Sequence, residues 1–125
     1  MGVTRVSAIC LLVVSLSILS SNLIAGHDYV VGDSKGWNWG FNGANWVKGK
    51  KFKAGDILVF RYNPAAHYVV KVNIDGYKSC SVVRDGLVYL SGNDRVKLTK
   101  GTNYFICTNS NYCAVGGMKL FVMAK

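Results

Sequence analysis

An all-β sandwich or barrel is the fold class this sequence predicts, on two observations. From Tyr29 onward the chain is a succession of short apolar, β-branched and aromatic runs broken by Gly, Asn and Asp, and the whole sequence has 14 glycines against a single proline, which is the punctuation of turns between strands. No long segment keeps the 3.6-residue period of a helix. The candidate strands are 29–31, 57–62, 68–72, 87–90, 95–98, 104–107 and 118–123, spaced as in a sandwich or barrel. With 125 residues, half of them apolar, the chain is long enough for one core and too short for two.

Taken in order, the first stretch stands apart from that core. Residues 1–5 carry positive charge, and the apolar run 6–25 closes on Ala25 and Gly26, the pattern of a secretory signal peptide. The run is long enough to cross a bilayer. Its place at the N-terminus and the scattered Ser15, Ser17, Ser20, Ser21 and Asn22 favour a cleaved leader instead. The reading is therefore a signal peptide over 1–26, a single domain over 27–125, and secretion. No hydrophobic tail follows Met123, so no lipid anchor is expected, and nothing demands more than a monomer. Cleavage leaves Cys80, Cys107 and Cys113, and an odd count in an oxidising compartment suggests one disulfide and one thiol kept for something else.

The stretch 36–48 sets Trp37, Trp39, Phe41 and Trp46 among Gly and Asn; it is read as a short helix or an irregular aromatic plug covering the core. Eleven lysines and three arginines face six aspartates and no glutamate once Arg5 is gone, a net charge of about +8. A secreted cation of this kind meets anionic cell-wall polysaccharide, anionic lipid or acidic extracellular protein rather than nucleic acid. Lys48, Lys50, Lys51 and Lys53 form the densest patch, either a solvated turn or a contact surface.

Enzyme chemistry has little to work with. There are two histidines, His27 and His67, with no glutamate, no phosphate-binding glycine loop and no nucleophile elbow, and the aspartates stand in turn-like contexts. His27 lies beside the expected new N-terminus and reads as incidental. What remains is a soft-donor set of His67, Cys107 and Met118, with Cys113 between the last two. Imidazole, thiolate and thioether together suit copper, and blue copper centres draw their late ligands from one loop between two strands. The residues alone leave alternatives open. Cys107 is either a buried thiol or a thiolate ligand, and Met118 either core packing or a thioether ligand.

Several stretches give the chain a resemblance to a known family. They are Tyr29-Val30-Val31-Gly32, Lys48-Gly49-Lys50 with Phe52, Ala54-Gly55-Asp56-Ile57-Leu58, Tyr62-Asn63-Pro64-Ala65-Ala66-His67-Tyr68-Val69-Val70, and Lys100-Gly101 followed by Tyr104-Phe105-Ile106-Cys107. Over essentially the whole predicted domain the chain resembles the phytocyanins, the plant blue copper proteins, and among them the plantacyanins or basic blue proteins. The resemblance implies a Greek-key β-sandwich of the cupredoxin type, secretion to the apoplast or cell wall, and one mononuclear copper used in electron transfer. It further implies a disulfide between Cys80 and Cys113, with His67, Cys107 and Met118 as copper ligands.

In family members with a working site a second histidine ligand precedes the disulfide cysteine; here that position is Tyr112. Four residues separate Cys113 from Met118 where a plantacyanin has three, with Gly116-Gly117 supplying the extra one. A phenol ligates well only after losing a proton, near pH 10 in the unperturbed side chain. The expectation is a basic, secreted, non-enzymatic protein whose degenerate type 1 site holds copper weakly, as Cu(I), or not at all, and which binds or signals at the cell surface. The alternative is an electron carrier with an altered ligand set completed by Tyr112 or solvent.

Overall fold

A computed structural model describes residues 26–82, 85–109 and 111–125, so the predicted leader lies outside the described residues except for Gly26. Among the described residues seven strands form two sheets: β1 (Asp28–Val30), β2 (Ile57–Arg61), β3 (Val69–Val72), β4 (Leu87–Tyr89), β5 (Asn93–Lys97), β6 (Gly101–Ile106) and β7 (Lys119–Ala124). One sheet has the order β1-β2-β5 and the other β4-β3-β6-β7. β1 runs parallel to β2, and the other pairings between these strands are antiparallel.

Each predicted run overlaps one of these strands, with ends displaced by up to three residues, because side chains in a strand alternate between faces and the sequence alternates with them. In β5, Asp94 and Val96 point inward between exposed neighbours; in β7, Leu120, Val122 and Ala124 do so while Phe121 and Met123 face solvent. The interior between the sheets holds Trp37, Leu58, Phe60, Val69, Phe105, Cys107, Met118 and Leu120. Phe60 anchors it, edge-on to Trp37 at 5.2 Å and tilted against Phe105 at 5.1 Å.

β6 begins three residues before the predicted run, at Gly101, and takes in Asn103, a buried polar residue the apolar pattern missed. Its amide is satisfied by the preceding turn: Nδ2 donates to the carbonyls of Thr99 (2.8 Å) and Gly101 (3.1 Å), and Oδ1 accepts from the Thr99 amide (3.1 Å). Pairing every polar group in this way removes the desolvation penalty of burying it.

Two short helices were not marked by sequence period. α1 (Gly43–Trp46) lies within the aromatic stretch, where Asn42 Oδ1 accepts from the Asn45 amide at 3.1 Å. α2 (Ile74–Ser79) is capped by Asn73, whose Oδ1 accepts from the Gly76 amide at 2.9 Å. Both caps satisfy an otherwise orphaned helix donor. α2 ends at Cys80, which is bonded to Cys113 as the resemblance implied. Cys113 is buried with Val70, Val72 and Ile106, a second cluster on the other face of β3 and β6, with Tyr68, Tyr77 and Tyr104 packed around it.

Tyr62 and Asp94 form a further polar pair at the edge of the core. The Tyr62 hydroxyl donates to the Asp94 carboxylate and lies 3.0 Å from the Tyr89 carbonyl, and Ser91 Oγ donates to the other Asp94 oxygen at 2.6 Å. Burial, followed by the Asp94 hydrogen bond, pushes the Tyr62 phenol up to about 12. The folded protein therefore keeps a proton there that the unfolded chain releases near pH 10. Stability is full below about pH 10 and falls as pH rises from there through about 12. In alkaline unfolding series Tyr62→Phe is expected to flatten this loss, while costing about 1–3 kcal/mol at neutral pH by leaving a buried carboxylate oxygen short of a donor.

Candidate metal centre

The predicted soft donors come from two loops at one end of the sandwich. The first follows β2. Asn63 Oδ1 accepts from the Ala65 amide at 3.0 Å, and the Asn63 carbonyl accepts from the amides of Ala66 and His67, both at 3.0 Å. This turn delivers His67 inward just before β3, where it is 6 % exposed. The second loop, 107–118, joins β6 to β7. The Cys107 amide donates to the Met118 carbonyl at 3.1 Å, and the Met118 amide to the Tyr112 carbonyl at 2.8 Å, so the loop is closed at its neck. Asn109 Nδ2 ties it to the first loop through the Ala66 carbonyl at 2.6 Å, and Tyr68 and Thr108 hydroxyls make a second tie.

His67 Nδ1 and Cys107 Sγ face one another at 4.0 Å. Two metal bonds of about 2.0–2.1 and 2.3 Å meeting at a trigonal angle would hold their donors roughly 3.8 Å apart, so the pair is spaced for one ion. The tautomer is set from the other side of the ring. Asn38 Oδ1 accepts from the Trp39 amide at 2.8 Å, which identifies it as the oxygen, so the His67 Nε2 that lies 3.2 Å away must donate to it. Nδ1 is left with its lone pair toward Cys107, the arrangement in which a metal-binding histidine is oriented by a partner at its second nitrogen. Burial lowers the His67 pKa from its ordinary value, which favours the neutral ring that can ligate. Asn38 is the residue sequence reasoning missed; a lone Asn between two tryptophans carries no signal of that role.

Met118 is fully buried in the same core cluster as Cys107. Tyr112, packed partly buried against that cluster, sets its ring 4.8 Å from the His67 ring. Trp39 then lies edge-on over Tyr112 at 5.3 Å. Trp39 was expected to cover the core with the other aromatics of its stretch, and Trp37 and Trp46 do so at 0 % and 7 % exposure, but Trp39 is 55 % exposed. It sits outside, above the phenol. No hydrogen bond fixes the Tyr112 hydroxyl within the described residues. Among those residues no group of three or more His, Cys, Asp or Glu side chains converges. The donor set thus fits copper in softness and in the His67–Cys107 spacing, and among the described residues His67 is the one imidazole brought to it. His27 takes no part: its amide donates to Asp56 Oδ1 at 2.9 Å and its carbonyl accepts from Ile57, at the start of β1.

Residues 37–118 match the plastocyanin-like domain family. The chain is 44 % identical over 116 residues to a basic blue protein of Arabidopsis thaliana, covering 93 % of this chain and 88 % of that protein. It is 52 % identical over 96 residues to a chemocyanin of Lilium longiflorum, covering 77 % of this chain and 74 % of that one. Among solved structures it is similar to cucumber basic protein, a blue copper protein, with a TM-score of 0.73 and 48 % identity over 78 % of this chain and 99 % of the other.

Proposed function

The chain belongs to the phytocyanin family of plastocyanin-like domains, and on that premise we propose that it is a secreted basic member with a degenerate type 1 site, acting at the cell wall or cell surface by binding an anionic partner. The observation that carries the reading is Tyr112. Its ring is packed between His67 and Trp39 at 4.8 and 5.3 Å, so an aromatic contact fills the place where the family resemblance puts a second imidazole. His67, Cys107 and Met118 would hold any copper, which when bound supplies a one-electron couple. Cys107 contributes a thiolate once it releases its proton, Asn38 keeps the imidazole lone pair aimed inward, and Tyr112 with Trp39 shields the mouth from water.

Charge supports the binding half of the proposal. Among the described residues the only ion pair joins Arg95 to Asp28 at 2.9 Å, both half-exposed. Lys48, Lys51 and Lys53 stand exposed without a carboxylate, while Lys50 is drawn back onto Trp46, donating to its carbonyl at 2.7 Å. Retention of the protein on a uronate polymer is expected to collapse as salt rises, since charges at a surface are screened within about 10 Å at 0.1 M. Retention that ignores salt would remove the electrostatic basis of the reading.

The second reading is an electron-transfer protein with an altered ligand set, and the His67–Cys107 spacing of 4.0 Å favours it. Copper titration of the secreted, disulfide-bonded chain separates the two. The degenerate-site reading expects colourless Cu(I) or no stoichiometric metal. An intense thiolate-to-copper band with one tightly held ion per chain would overturn it in favour of the electron carrier.

A further inference from the structure

A groove of about 520 Å3 opens beside the candidate metal centre, between the turn Asp33–Lys35 and α1. Its size falls within the roughly 300–1,000 Å3 of small-molecule sites. Lys35, Asn38, Trp39, Phe41, Asn42 and Asn45 line it.

Trp39 is the unusual wall. The ring is fixed from behind: it stands edge-on against Tyr112 at 5.3 Å, and it lies so close to Gly116 that a Cβ there would come within 2.2 Å of Trp39 Cζ3. More than half of the residue's surface nevertheless remains open. An aromatic held rigid on one side and bare on the other is a stacking platform that loses little conformational entropy when a ligand arrives.

The polar groups around it are predominantly donors. Asn38 Oδ1 is taken by the Trp39 amide and His67, and Asn42 Oδ1 by the Asn45 amide, which leaves the NH2 groups of both side chains. The Asn45 side chain and the Lys35 ammonium have no hydrogen-bond or ion-pair partner among the described residues. No carboxylate lines the groove; Asp33, next to it in sequence, accepts from the Trp46 indole at 3.2 Å. A donor-rich rim beside an aromatic platform calls for a ligand with many oxygen acceptors, negative charge and one flat apolar face. A pyranose uronate has all three.

We propose that this groove binds an acidic saccharide chain, with the C–H face of one pyranose on Trp39 and a uronate carboxylate at Lys35. This rests on the reading of the protein as a wall-binding phytocyanin and gives its anionic partner a chemistry and a place.

The test titrates the secreted chain at 0.1 M salt with tetragalacturonate, and with cellotetraose as the neutral control, following tryptophan fluorescence and heat. The uronate binds one to one, and Trp39→Ala and Lys35→Gln each weaken it about tenfold or more. Trp39→Phe keeps most of the affinity, because the platform survives. Gly116→Ala pushes the indole off its seat and mimics Trp39→Ala with the unfolding temperature retained. Cellotetraose binds more weakly and is indifferent to Lys35→Gln. Uronate affinity unchanged in Trp39→Ala, Lys35→Gln and Gly116→Ala but lost on replacing Lys48, Lys51 and Lys53 would overturn the groove and leave the wall-binding reading standing. So would binding of polymeric pectate without the tetramer. Binding of neither tetramer nor polymer by the parent chain would overturn both.

Discussion

Tyr112→His is expected to raise the copper affinity of this chain to tight binding of a single ion and to bring out an intense visible band. The argument is geometric. The Tyr112 ring already stands 4.8 Å from the His67 ring, and the hydrogen bond from the Met118 amide to its carbonyl fixes the backbone at the neck of the loop. An imidazole is shorter than a phenol, so its nitrogen would fall within the space the phenol ring now fills and would add a second imidazole donor beside His67 and Cys107. Loss of an outer-shell partner alone changes metal affinity roughly 10–100-fold, so a direct ligand is expected to reach at least the upper end of that range. The contact between Tyr112 and Trp39 is given up in exchange, at about 0.5–1.5 kcal/mol. Bound copper per chain and the visible spectrum measure the outcome, and adding Cys107→Ser must abolish the band. A Tyr112→His protein that takes up no more copper than its parent would show that the four-residue spacing between Cys113 and Met118 has moved the thioether or the loop out of register.

The second large effect is on folding. Replacing both Cys80 and Cys113 by alanine opens a loop between residues 33 apart, and the chain-entropy relation assigns its closure about 3.5–4 kcal/mol. Set against the 5–15 kcal/mol that holds a typical domain together, that is a large share, and for a domain of about 100 residues it corresponds to a fall of roughly 15–30 °C in Tm. Calorimetry of the oxidised protein and the double alanine variant gives the number directly. The bond also reaches the metal centre. Cys113 is buried on the outer face of β3 and β6 and is the neighbour of Tyr112, so it pins the loop between Cys107 and Met118 to α2. Copper uptake by Tyr112→His is therefore expected to suffer when the bridge is removed. A fall of only a few degrees would mean that strand pairing alone orders this loop.

How legible each part was follows from the range of the interactions behind it. The strands were readable because a half-buried strand writes its two faces into every second residue, as Leu120, Val122 and Ala124 do against Phe121 and Met123. β6 was read short at its start because Asn103 is buried through hydrogen bonds that the apolar pattern does not record. α2 was not marked because six residues containing a glycine have weak helical preference of their own. Its Asn73 cap, its packing on the outer face of the sheet and the disulfide at its end hold it in place. In the aromatic stretch the backbone is irregular, so no period told Trp39, which faces solvent, from Trp37, which is fully buried and donates through its indole to the Tyr68 carbonyl at 3.1 Å.

By itself the sequence determined a one-core all-β fold, sandwich or barrel, a strongly cationic charge, and the inventory of soft donors His67, Cys107 and Met118, because composition and short-range alternation are properties of the chain before it folds. Only the tertiary structure decided how those donors meet: His67 against Cys107 across 40 positions, Asn38 on the far side of the same ring across 29, and Tyr112 turned toward His67 beneath Trp39. Contacts between residues that far apart in the chain depend on how the two loops are closed and tied at the end of the sandwich, and no local pattern carries that information.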